Sequence, residues 1–82
     1  MNLQTATEAV LKQLEGKQDP DLVTCHKQWD EYGSLKGWMI ECVWGDGEKK
    51  ETLSFDMTSN YTRAIGNPEK IPEYIKGNHQ QI

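Results

Sequence analysis

Along the first turns of the chain, apolar residues recur at three- and four-residue spacing: Leu3, Ala6 or Thr7, Val10, Leu11 and Leu14, with Glu8, Lys12, Gln13 and Glu15 falling between them. That period describes a helix with one apolar face. Thr5 with Glu8 three residues later has the capping-box pattern, in which each side chain satisfies a free backbone N–H. A helix is therefore expected over about 6–15, stopped by Gly16 in a left-handed conformation. The polar stretch from Gly16 to Asp21 reads as a connection.

The period then changes to two, and two turn signals divide the pattern. Gly33-Ser34 suits a two-residue hairpin with Gly first, and Asp46-Gly47 is a strong hairpin signal. Strands are expected over about 22–32, 35–45 and 48–57. With Gly33-Ser34 as the loop, Glu31 faces Lys36, Trp29 faces Trp38, Lys27 faces Ile40, Cys25 faces Cys42 and Val23 faces Trp44. With Asp46-Gly47 as the loop, Trp44 faces Lys49, Cys42 faces Glu51, Ile40 faces Leu53 and Trp38 faces Phe55.

The two registers are independent, yet both gather the large apolar residues on one face, where a one-residue slip would scatter them. That face carries Val23, Cys25, Trp29, Trp38, Ile40, Cys42, Trp44, Leu53 and Phe55. The other carries Thr24, His26, Gln28, Met39, Glu41, Val43, Thr52 and Ser54, polar enough to meet water. The expected fold is α+β: the N-terminal helix packed on one face of a three- to four-stranded antiparallel meander, in a single small domain spanning 1–82. Residues 61–65 alternate and are the candidate fourth strand. Ile71, Tyr74 and Ile75 suggest a short helix or turn over 71–76 after Pro68, and the tail 78–82 is expected to fray.

Composition sets a constraint on this fold. Leu, Ile, Val and Phe together number 15 of the 82 residues, few enough to raise disorder as an alternative. Against it stand a net charge of only −4 and the three Trp and three Tyr, which supply core material. The result is a thin core with little room for an enclosed catalytic cavity. The acidic balance disfavours a general nucleic-acid or anionic-membrane binder, which needs a basic face. No apolar run approaches a membrane span and no apolar signal core opens the chain, so a cytoplasmic setting without membrane association is expected.

No constellation for catalysis emerges. Cys25 and Cys42, if directly opposed in a non-hydrogen-bonded pair about 4.5 Å apart at Cα, could form a cross-strand thiol pair or disulfide; in a reducing compartment they are better read as small buried hydrophobes. His26 is adjacent to Cys25, but neighbouring strand residues point to opposite faces, so the two cannot converge on a nucleophilic or metal site. His26 opposite Glu41 reads as a surface polar pair. No cofactor, metal or catalytic residue is expected.

What remains is a non-catalytic interaction module, a regulator, adaptor or inhibitor that binds another protein. The expected surface comprises His26, Gln28, Met39, Glu41, Val43, Trp44, Lys49 and Lys50. Unpaired edges of the first or third strand invite strand addition or a homodimer, with Lys27 and a Glu31–Lys36 pair blunting the first. The alternative is a nucleic-acid-binding domain using Trp44, Lys49, Lys50 and Arg63, or an acidic nucleic-acid mimic.

Overall fold

The computed structural model describes residues 1–81. Helix α1, Leu3–Gln13, starts one turn before the expected position, because Asn2 is the N-cap: its Oδ1 accepts from the Thr5 N–H at 2.9 Å. Thr5 is thereby a helical residue and the Thr5/Glu8 capping box is not used. Ala6, Thr7 and Val10 form the buried side of α1, and the Thr7 hydroxyl donates to the Leu3 carbonyl at 2.8 Å, so its burial leaves no unpaired polar group.

Strands β1 (Leu22–Trp29), β2 (Leu35–Trp44) and β3 (Glu51–Thr58) form the antiparallel meander. Both hairpins, however, pair two residues away from the expected registers. Cys25 lies opposite Ile40, Val23 opposite Cys42 and Lys27 opposite Trp38; across the second hairpin, Cys42 lies opposite Leu53, Ile40 opposite Phe55 and Trp44 opposite Glu51. The cause is loop chemistry. Asp30 accepts through Oδ1 from the N–H groups of Tyr32 and Ser34, and its carbonyl accepts from Gly33, which makes a longer loop than Gly33-Ser34 alone; a bulge at Gln28/Trp29 absorbs the change. Glu31 sits in that loop, not in a strand facing Lys36. In the second loop Asp46 is extended (φ −145°), and the positive φ values fall on Gly45 (76°) and Gly47 (62°), with a 3₁₀ turn over Gly47–Lys49.

A shift of two conserves the faces. Val23, Cys25, Ile40, Cys42, Phe55 and Met57 are buried in one cluster with Ala6 and Val10 of α1, and Trp38, Trp44 and Leu53 are partly buried against it. Trp29 is the departure: at the far end of the shifted ladder, it pairs with Leu35 and is 59% exposed.

Beyond β3 the chain differs from the expectation in two places. Residues 61–65 belong to helix α2, Ser59–Ile65, and not to a strand: Tyr61 and Ile65 are four apart and both meet the core, and Thr62, buried between them, donates to the Ser59 carbonyl at 2.8 Å. A 3₁₀ segment, Pro68–Tyr74, follows, overlapping the short helix or turn expected over 71–76; it buries Pro68, Ile71 and Pro72. Asn78–Gln81, expected to fray, forms strand β4, paired parallel with β1 from Leu22↔Asn78 to Cys25↔Gln81; Ile82 lies outside the described residues. The sheet order is β3-β2-β1-β4, an α+β fold whose sheet is mostly antiparallel with one parallel pair. Gly77 makes this return feasible, since a Cβ there would lie 2.4 Å from the Pro20 carbonyl oxygen.

Candidate interaction surface

The open face of the sheet collects Leu22, Thr24, His26 and Gln28 from β1, Met39, Glu41 and Val43 from β2, and Thr52, Ser54 and Asp56 from β3. It has no Lys or Arg in these strand positions. Four of the residues expected to form a surface, His26, Gln28, Met39 and Glu41, are half-buried on this face, whereas Val43 is buried among its neighbours at 8% exposure. The shifted register places His26 opposite Met39 and Glu41 opposite Thr24, so His26 and Glu41 do not form a direct cross-strand pair. The His26 ring instead shares a hydrogen bond with the Thr24 hydroxyl at 2.8 Å.

Trp44, Lys49 and Lys50 lie apart from that group. Trp44 points to the core side, its indole N–H donating to the Gln18 carbonyl at 2.8 Å, and Lys17 Nζ stands 5.5 Å from its ring centroid. Trp44, Lys17 and Lys49 border a shallow concavity together with Gln18, Gly45 and Glu51. Arg63 is on α2, which follows the opposite end of β3 from Lys49 and Lys50. The basic residues named for nucleic-acid binding thus do not share one patch. Lys17 was missed from sequence because its approach to Trp44 depends on how the α1–β1 connection folds back.

The edges of the sheet are unequal. β4 covers the Leu22–Cys25 half of β1; beyond it Lys27, half-exposed, makes a 3.6 Å ion pair with Glu69, whose carboxylate also accepts from the Trp38 indole N–H at 2.7 Å. This arrangement ties the 3₁₀ segment Pro68–Tyr74 to β1 and β2. β3 is the other edge of the sheet.

Cys25 and Cys42 are both buried free thiols. Their strand partners are Ile40 and Val23, so they are diagonal neighbours and not the directly opposed pair that a cross-strand disulfide requires. Burial pushes the Cys25 thiol up to about 11, with the negative charge of Glu69 adding to the effect, and burial likewise pushes Cys42 up to about 11. An unfolded chain releases these protons near pH 8.5 to 9. Above that pH it binds fewer protons than the folded chain, so stability falls as pH rises towards 11, by about 2 kcal/mol per thiol. Denaturant unfolding measured across this window should show a shallower pH dependence in a Cys25→Ala/Cys42→Ala double variant than in the parent; equal slopes would refute the assignment.

An exposed apolar group that the sequence did not foreshadow is the tip of the β1–β2 hairpin. Trp29 is 59% exposed, Tyr32 83% and Leu35 36%, with Trp29 and Leu35 paired across the hairpin and Tyr32 in the loop between them. The turn is held by Asp30, Gly33 and Ser34, and Tyr32 contributes only its backbone N–H to it. Its side chain is therefore free of structural duty in the turn.

Among the described residues no group of three or more His, Cys, Asp or Glu is placed to hold a metal ion, and no helix is long and apolar enough to cross a membrane. Compared with known proteins, the chain matches no family model, no curated protein and no solved structure.

Proposed function

We propose that the protein is a small non-catalytic interaction module, a regulator, adaptor or inhibitor, that binds another protein through the tip of its β1–β2 hairpin. The observation that carries this reading is the exposure of Trp29 and Tyr32 in a domain with so few large apolar residues. Trp and Tyr dominate binding hot spots because they offer a large, stiff contact area at low cost in conformational entropy. A hairpin tip also carries them clear of the helical layer, where they can enter a partner's pocket. The open face with His26, Gln28, Met39 and Glu41 would supply a polar margin. The nucleic-acid alternative has less support, since Arg63 is distant from Lys49 and Lys50 and Trp44 is occupied by Gln18 and Lys17.

The test compares the parent with a Trp29→Ser/Tyr32→Ser variant as bait in the native cell extract. Partners bound through the tip should lose affinity by roughly thirtyfold or more, the effect of a hot-spot residue worth at least about 2 kcal/mol. Far-UV circular dichroism should be unchanged. Recovery of the same proteins in the same yield by both baits would sink the proposal.

A further inference from the structure

The free edge of β3 has a structure that suits a specific occupant. At the end of β2 near its second loop, the Val43 carbonyl accepts from the Asp21 N–H at 2.8 Å and the Gly45 N–H donates to the Asp21 carboxylate at 2.6 Å. Odd-numbered backbone groups of β2 at this end therefore address the β1 side, and even-numbered ones, such as Cys42, address β3. Their partners Glu51, Leu53, Phe55 and Met57 turn inward, and the register across β2 and β3 runs from Gly37↔Thr58 to Trp44↔Glu51 without a bulge. The N–H and C=O groups of Thr52, Ser54 and Asp56 consequently point outward from the sheet.

Natural edge strands are usually blunted by proline, a bulge or an inward-pointing charge, often lysine. β3, Glu-Thr-Leu-Ser-Phe-Asp-Met-Thr, has no proline, lysine or bulge, and its charges are confined to Glu51 at its start and Asp56 near its end. We infer that its occupant is β3 of a second copy, paired antiparallel about a twofold axis that passes through Ser54. In that register Ser54 faces Ser54 of the second copy and Thr52 faces its Asp56, so hydroxyls meet hydroxyl or carboxylate and no like charges are opposed. Moving the axis to Asp56 would bring two carboxylates together.

The core-side row agrees. Leu53, only partly buried at the margin of the core, comes opposite Phe55 of the second copy, and Phe55 opposite its Leu53. Beside Phe55 runs a groove of 420 Å³ between α1 and β3, apolar along Ala6, Val10 and Met57 and polar at Gln13, Asp56 and Thr58. The second copy's Leu53 would enter it at Phe55, and Ala9, small and exposed, lets the two α1 helices approach above the joined sheet. The product is a continuous eight-stranded sheet, twice the four strands of one copy, with its apolar face extended across the axis. This inference is independent of the hairpin-tip proposal; where both hold, the dimer presents two tips and adds avidity to each.

Light scattering coupled to size exclusion should give twice the 9.4 kDa mass of one chain. Ser54→Pro removes an outward N–H and no ladder bond to β2, a change that an edge strand tolerates, and should return the mass to that of a monomer without loss of the circular dichroism signal. Should that variant fail to fold, Ser54→Lys serves the same purpose by placing two cations on the axis. Ser54→Cys should form a dimer joined by an intermolecular disulfide under oxidation, and reductant should separate it. A monomer mass at every concentration, or a parent dimer undisturbed by both Ser54→Pro and Ser54→Lys, overturns the inference.

Discussion

Gly37→Ala is expected to destabilise the fold by about 3 kcal/mol or more, the upper part of the range for overpacking a well-fitted interior. Gly37 is buried in β2 between Gln28 of β1 and Thr58 of β3. A Cβ at this position would lie 2.1 Å from the Met57 carbonyl oxygen and 2.9 Å from the Thr58 Cα. Both are backbone atoms, so no side-chain rotation relieves the contact; β3 would have to move away from β2. That separation breaks the ladder beside the bulge at Gln28/Trp29, where the sheet is already irregular. A domain of this size has on the order of 4 to 12 kcal/mol of stability, so the loss is a large share of the whole. Melting should fall by roughly 12 °C or more. Gly33→Ala is the comparison: its φ is +80°, but nothing lies within 4 Å of the added Cβ, leaving only conformational strain of roughly 1 kcal/mol. Equal melting temperatures for Gly37→Ala and the parent would show that β3 is not held so close.

The sequence made the faces of the meander legible but not its registers, and the reason lies in what each depends on. Face assignment needs only the alternation of apolar positions, and a displacement of two residues leaves Val23, Ile40, Cys42 and Phe55 on the core side. Register depends on loops. Asp30 was a readable signal, being a residue type whose carboxylate bonds to backbone N–H groups ahead of it. Asp21 was not readable, since its bond to Gly45 spans 24 positions and exists only after the sheet has formed. Tyr61, Arg63 and Ile65 alternate, but Tyr61 and Ile65 also have one-turn helical spacing, and the docking of α2 on the core selects the helix. β4 has no apolar pattern; its position follows from backbone pairing with β1 and from the Asn78 side-chain amide donating to the Asp21 carbonyl at 3.3 Å. Of the candidate surface, the open polar face was legible from alternation. The hairpin tip was not, because the shorter loop expected for that hairpin put Trp29 opposite Trp38 and therefore inside.

Ile71→Ala should cost about 2 to 5 kcal/mol, whereas Trp29→Ala, although it deletes a larger side chain, should change stability by no more than about 0.5 kcal/mol. Ile71 is 0% exposed, held in the 3₁₀ segment between the buried Pro68 and Pro72, and belongs to the same cluster as Val23, Ile40 and Ile75. The two prolines stiffen the backbone around it, so the surroundings cannot collapse into the space that truncation leaves, and the cavity contribution is retained. Trp29 has no such enclosure, being 59% exposed beyond the covered part of the sheet. Denaturant midpoints of the two variants, measured with an unchanged m value, decide between these expectations. If Trp29→Ala were the more destabilising, the hairpin tip would be part of the core and its exposure would carry no functional meaning. The expected order has the opposite consequence: the core is completed by aliphatic residues from the C-terminal third of the chain, and this releases a tryptophan that a domain poor in apolar residues would otherwise need for folding.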